Sequence, residues 1–508
     1  VLASTALLGL LGLPIILGLF IRIAAKFADY RPWVKRATLT FSIVGAIVVL
    51  GAAWAWRLGG AADAVVGGWS IVSFLGTPLV VGTALAGGCA VIALAAVRVA
   101  QLISQNQAVR MESASSHGLL MVGAALAMLG HTTPTLLIGL GLMNIAGLWH
   151  ALRRTEGNTA VRAFGAQLIA VLIAAPVFIL GSNASADYRL TAAAPAADTL
   201  LALLLNAAAA LHANLLPFGS TRNSTTSPQA SAGLLGAAAL LTHASAVEPW
   251  LPALAAVSAV FWSVRALGSR DISARFTYLR DAAAAFSLAI GTHAPAAAAA
   301  GWLLGTALLQ LSGVAGIVGV FALLALPGSI GFAAAGTTQT TDSLDIGLTI
   351  LRSGAAAVMG FALLRHALEP SAGSSLRSSL RDSMRMRQLP PLTIIGAHLI
   401  VLSIAPSLAG LPPLVAVFAA APPLLWASTL LSLLVAAALW RLAGDADMTP
   451  INALTIRTSG VMRPFFAALD RIAASVGTLL LLLESDGALL IACLVLIIGV
   501  LTIGQATP

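Results

Sequence analysis

Runs of about twenty apolar residues recur from one end of this chain to the other. Each is long enough to cross the roughly 30 Å hydrocarbon core of a bilayer as a helix. The stretches "TLLALLLNAAAALHANLLPF" (199–218) and "GALLIACLVLIIGVLTIG" (487–504) are typical. The runs are continuous and do not alternate with polar residues, which excludes a membrane β-barrel. Only 9% of the 508 residues are charged and 59% are hydrophobic, whereas a soluble domain carries roughly 25% charged residues. The expected fold class is an all-α polytopic membrane protein with about 14–16 transmembrane helices.

Spans fall at about 2–21, 37–56, 71–97, 117–131, 133–150, 163–181, 197–216, 229–246, 249–267, 277–292, 295–312, 314–335, 345–367, 391–410, 413–440 and 485–503. Alternating their direction sorts the cations. All but Arg57, Arg189 and Arg352 of the 27 Lys and Arg then fall on one side. Basic residues collect in cytoplasmic loops, so both termini are expected outside, in a bacterial cytoplasmic membrane. The same rule explains the net charge of +9 without nucleic acid. The first 21 residues lack a basic leading region and read as a retained span.

Four regions are expected: N-terminal helices with an inside loop (1–116), a core (117–370), C-terminal core helices (371–442), and an interfacial amphipathic helix with a last span (443–508). The segment "SLRSSLRDSMRMRQ" (375–388) reads as a basic loop against anionic headgroups. In 451–483 apolar Ile456, Phe465, Phe466 and Leu469 alternate with Arg457, Arg463 and Asp470, the pattern of a helix lying in the interface. Glu484 and Asp486 would cap the final helix. Cys89 and Cys493 both lie in apolar runs and suit neither a disulfide framework nor a metal site. No metal, cofactor or catalytic constellation of nucleophile, base and orienting group is expected.

Ionisable residues at membrane depth are costly and usually face a protein interior or a water-filled path. They are His131, His212, His243, His293, Arg352 and His398, with Glu248 near an outer boundary. A neutral imidazole with one hydrogen bond is tolerated in a packed interior, so each histidine alone also has a purely structural reading. His212 stands out because Pro217 follows it: proline breaks the helical ladder and frees carbonyls beside a side chain that titrates near neutrality. His243 lies in the next span. Arg352 follows Asp345 by two helical turns; it reads either as snorkelling to the interface or as a fixed cation tuning a relay. The relay candidates are thus His212, His243, Arg352 and His398.

The stretch "HANLLPF" (212–218) resembles the broken helix of the antiporter-like subunits of respiratory complex I, multi-subunit cation/proton antiporters and membrane-bound hydrogenases. That family carries a lysine five residues before a proline and an aromatic; here His212 takes the lysine position before Pro217. Further segments resemble the family in order. In "RDISARFTYLRDAAAAFSLAIG" (270–291), Asp271 and Tyr278 keep the family spacing of an inside-loop motif, and Ser273 replaces a lysine. In "TALLQLSG" (306–313), Thr306 and Gln310 stand at the family's His and Lys positions. "LPGSIGF" (326–332) keeps Pro327, Gly331 and Phe332 of a second helix break, while "GLGLMNIAGLWHALRR" (139–154) lacks the family's glutamate.

The resemblance covers roughly residues 70–370. It implies two inverted repeats with a discontinuous helix in each, and a subunit working among other membrane subunits, with redox or soluble subunits at the cytoplasmic face as further partners. The chain's two lysines, Lys26 and Lys35, both lie in the first inside loop, so every membrane lysine of the family is absent. Three functions remain open: a proton- or cation-translocating subunit of a complex I-related assembly; a degenerate, non-conducting subunit that anchors its partners; and a coupling subunit of an inorganic-carbon uptake system.

Overall fold

The computed structural model describes thirteen helices and one short strand pair between residues 73 and 443. Residues 1–72, 369–422 and 444–508 lie outside the described residues, as do shorter connections such as 183–189, 191–198, 216–226 and 337–342. The spans expected at 2–21, 37–56, 391–410 and 485–503, the loop 375–388 and the interfacial helix within 451–483 all fall there.

The described helices, in chain order, are α1 (Leu85–Ser104), α2 (Gln107–Leu129), α3 (Thr133–Leu152), α4 (Gly157–Ser182), α5 (Thr199–His212), α6 (Ser227–Thr242), α7 (Trp250–Gly268), α8 (Ile272–Ile290), α9 (Pro295–Leu309), α10 (Gly313–Leu323), α11 (Ile330–Gly336), α12 (Ser343–Leu368) and α13 (Pro423–Ala443). Before them, β1 (Ser73–Phe74) pairs antiparallel with β2 (Thr77–Pro78). The protein is an all-α polytopic membrane protein. Among the described residues, three helix stretches, Trp250–Gly268, Ile346–Ala367 and Leu425–Ala443, are long and apolar enough to cross a membrane alone; shorter apolar helices include Leu200–His212 and Pro295–Leu309.

The chain differs from its sequence reading between two expected spans. Residues 98–116, left between the spans at 71–97 and 117–131, are mostly helical, because α1 runs on to Ser104 and α2 starts at Gln107. Gln, Arg, Met and Glu are good helix formers, and a polar turn extends a helix as readily as it ends one. The span at 314–335 is interrupted at the segment that resembles a second helix break: α10 stops at Leu323 and α11 begins at Ile330.

Contacts divide the chain into two compact units. One holds α1, the first part of α2 and α7–α13; the other holds the rest of α2 and α3–α6. In the first, α9 is the innermost helix: every residue from Pro295 to Leu309 is buried. Pro295 opens it at the position where a missing amide hydrogen costs nothing. The Trp302 indole N–H ties it to α8 by donating to the Arg280 carbonyl at 3.0 Å. In the second unit α2 and α3 cross at Gly139, where a Cβ would overlap the Ala127 backbone.

Candidate functional site

Apart from Thr199 and Asn206, helix α5 is built of Leu and Ala up to its last residue, His212. Its end is closed by two backbone bonds: the Leu215 N–H donates to the Ala210 carbonyl and the Asn214 N–H to the Leu211 carbonyl, both at 3.0 Å. This six-to-one and five-to-two pairing needs a left-handed residue, and Asn214 supplies it with φ 53°. The helix therefore stops inside the protein, with its partially negative end at His212.

His212 is fully buried. Its Nδ1 lies 3.1 Å from the Gly233 carbonyl on α6. A carbonyl can only accept, so Nδ1 carries the proton and Nε2 of the neutral ring presents a lone pair. Nε2 is buried without a hydrogen-bond partner. The ring packs closely against α6, where a Cβ at Gly236 would fall on its Cε1 and Nδ1 atoms.

Uncharged amides gather beside it. A Cβ at Gly233 would sit 2.9 Å from the His212 carbonyl oxygen, 3.2 Å from Gln167 Nε2 and 3.7 Å from Asn214 Nδ2. Gln167, on α4, is fully buried; its Nε2 donates to the Gln229 carbonyl at 3.4 Å, and its Oε1 has no partner. On α3, Gly147 packs against Gln229. Asn144 stands one turn before Gly147 on that face, buried, with both amide atoms unpartnered. A buried amide left unsatisfied costs about 1–3 kcal/mol, so this cluster is expensive in a purely structural role.

Sequence reasoning followed charge and therefore missed Asn144, Gln167 and Gln229. A polar amide inside an Ala/Leu run is the signal that finds them. Toward the other end of α5, Asn206 Oδ1 accepts the Glu248 backbone N–H at 3.2 Å.

His243 is half-buried just past α6, with its ring edge-on to Phe178 at 6.4 Å. It follows Gly236 by seven residues, just beyond the last turn of α6, about 10 Å further along, and no contact joins it to His212. His131, His293, His398, Pro217 and Pro327 lie outside the described residues.

Arg352 belongs to the first unit. It lines a cavity with Thr349, Ser353, Ser428, Thr429 and Ser432, beside Ala325 and Leu326. Ala325 closes α10 as Asn214 closes α5. Its φ is 51°, Leu326 N–H donates to the Phe321 carbonyl at 3.1 Å, and Ala325 N–H donates to the Ala322 carbonyl at 3.3 Å. In this second break Leu323 stands where the first has His212. Gly331 lies in α11, its would-be Cβ 3.0 Å from the Ala325 side chain. At the two positions that resemble the family's His and Lys, Thr306 donates its hydroxyl to the Trp302 carbonyl at 2.8 Å, and Gln310 is exposed at the end of α9.

Asp271 caps α8, its carboxylate accepting the Ser273 and Ala274 N–H groups at 3.1 and 3.2 Å. Tyr278 stacks on Trp262 and lies under the Arg265 guanidinium, 4.8 Å from its ring centre.

Among the described residues no group of His, Cys, Asp and Glu could hold a metal ion. No family model matches the sequence, and no curated protein matches it. Solved structures do. A chain of the Mrp complex from Dietzia sp. DQ12-45-1b superposes with a TM-score of 0.66 at 15% identity, over 99% of this chain and 63% of that one. This chain thus spans less than two thirds of that subunit. A chain of respiratory complex I from Thermus thermophilus gives 0.50 at 17% identity, over 78% and 97%. A chain of the membrane-bound sulfane sulfur reductase, an archaeal respiratory membrane complex, gives 0.52 at 14% identity, over 80% and 100%. With two helix breaks closed in the same way and this set of neighbours, the chain has the fold of the antiporter-like membrane subunits.

Proposed function

We propose that this chain is a proton- or cation-translocating antiporter-like subunit of a complex I-related membrane assembly, with His212 as its central protonable group. One observation carries the reading: a fully buried imidazole at the end of a broken helix, with Nδ1 donating to Gly233 and Nε2 unpartnered. A relay needs a group that can accept and pass on a proton, and Nε2 is the ring atom with an unused lone pair. Gln167 supplies a neutral polar atom that can hold water beside the His212 end of α5. Other membrane subunits are its partners, and redox or soluble subunits would bind on the cytoplasmic side.

The test is proton flux into vesicles holding the whole assembly. His212→Ala abolishes flux while the assembly stays intact; unchanged flux in that variant overturns the reading.

A second reading is favoured by the other unit. Its helix break carries Leu323, and α9 is buried and almost wholly apolar. A subunit that keeps the breaks and lacks flux would be an anchor for its partners. Wild-type flux at the level of empty vesicles decides for it.

A further inference from the structure

The cavity beside the second helix break is walled by one stripe from each of two helices. On α12 the lining positions are Thr349, Arg352, Ser353 and Ala356; on α13 they include Leu425, Ser428, Thr429 and Ser432. Each set follows the i, i+3, i+4, i+7 spacing that keeps side chains on one helix face. The Ser432 hydroxyl joins the two helices, reaching the Ser353 carbonyl at 3.0 Å and the Ser428 carbonyl of its own helix at 2.7 Å. The cavity measures about 50 Å³, several times the roughly 10–15 Å³ that one water needs.

Its hydrogen bonding is one-sided. Ser353 donates to the Thr349 carbonyl at 2.7 Å, Ser428 to the Leu425 carbonyl at 2.9 Å and Thr429 to that same carbonyl at 2.8 Å. A hydroxyl has one proton and two lone pairs. With Ser432, four hydroxyls thus spend their protons on backbone, and among the described residues no donor meets their oxygens. Leu324 and Ala325 also line the cavity. They lie just past α10, where helical carbonyls run out of amide partners and the helix end is partially negative.

These walls accept hydrogen bonds. A cationic ligand would be opposed by the charge of Arg352. An anionic one would meet hydroxyl lone pairs and the negative end of α10. A neutral O–H group suits both conditions. The rest of the lining is apolar, with Phe286, Ile290, Leu326 and Leu433. Helices α12 and α13 also expose Ile346, Ile350, Leu430 and Leu434, so molecules dissolved in hydrocarbon meet them directly.

We propose that this cavity binds a neutral, hydroxyl-headed membrane amphiphile of the long-chain alcohol class. Its O–H donates to the serine and threonine oxygens and its chain lies along the apolar wall. Arg352 acts there only through its charge. The site is separate from His212 and does not depend on whether the His212 path conducts.

The test is photolabelling of the full chain in lipid nanodiscs with a diazirine-bearing octanol, mapped to residues by mass spectrometry. Saturable label is expected on the lining residues of α12 and α13. At matched concentrations in the bilayer, octanol competes roughly two- to tenfold better than its methyl ether, the difference that one net hydrogen bond makes. Octanoate and octylammonium compete less well than octanol. Ala356→Leu fills the cavity and abolishes the saturable label, and Ser428→Ala/Thr429→Val brings alcohol and ether to parity. Unsaturable label spread over lipid-facing residues overturns the proposal and leaves a cavity that holds water alone. Equal competition by alcohol and ether in the wild type, or a preference that survives the double variant, also overturns it. Strongest competition by octanoate overturns it in favour of an anion site, and by octylammonium in favour of a cation site. If either variant fails to fold, the wild-type competition series decides alone.

Discussion

Gly236 and the imidazole of His212 occupy neighbouring space with no room for a methyl group between them: a Cβ on Gly236 would fall on the ring. The ring's position, and with it the Nδ1 bond to Gly233, depends on that absent side chain. Gly236→Ala is therefore expected to push the ring away from Gly233. Overpacking of this kind costs about 1–3 kcal/mol. Thermal unfolding in detergent should show the loss, and proton flux should fall with it. A variant as stable and as active as the wild type would mean that the ring has somewhere else to go.

Gln167→Leu separates the two functional readings. The change removes a buried amide whose Oε1 has no partner and keeps a similar volume. Stability is expected to hold or rise, by up to about 1–2 kcal/mol. If the amide hydrates the His212 path, flux falls although the protein is no weaker. Flux and stability measured on one preparation decide it; flux equal to wild type removes Gln167 from the path.

The two helix breaks predict opposite responses to side-chain change. Ala325 sits at φ 51°, a left-handed conformation that costs an ordinary L-residue roughly 1–2 kcal/mol. Ala325→Gly should stabilise the protein by about 1 kcal/mol, less the entropy a glycine adds to the unfolded chain. Asn214→Val should destabilise it, because a β-branched residue tolerates that conformation worse than asparagine does. Unfolding midpoints of both variants check the pair.

Asp271→Ala removes the two hydrogen bonds that cap α8. Loss of such a cap costs about 1 kcal/mol. It should lower the unfolding temperature without changing flux. A loss of flux at unchanged stability would instead make Asp271 part of the ion path.

The pattern of apolar runs made the helices legible, and "HANLLPF" marked one break by its histidine and proline. The second break was legible only through Pro327 and Gly331, since Ala325 in the left-handed region has no sequence signature of its own. The cluster around His212 was half legible. Its histidine is a rare residue at membrane depth and draws the eye. Its amides are uncharged, and Gly233 and Gly236 sit in an alanine-rich helix where nothing distinguishes them. Their importance arises from close approach of α5 to α6, a relation between segments that no single segment contains.

Helix α9 has a consequence in girth. Five alanines in a row follow Pro295, and every residue to Leu309 is enclosed. Up to Gly301 such a helix is a slender rod, and neighbours can approach that part near the short end of the usual 8–10 Å axial spacing. Its slimness limits how wide the first unit can be. A leucine in place of Ala299 or Ala300 would act as a wedge, forcing surrounding helices outward and changing the outline the protein presents to whatever lies beside it in the membrane.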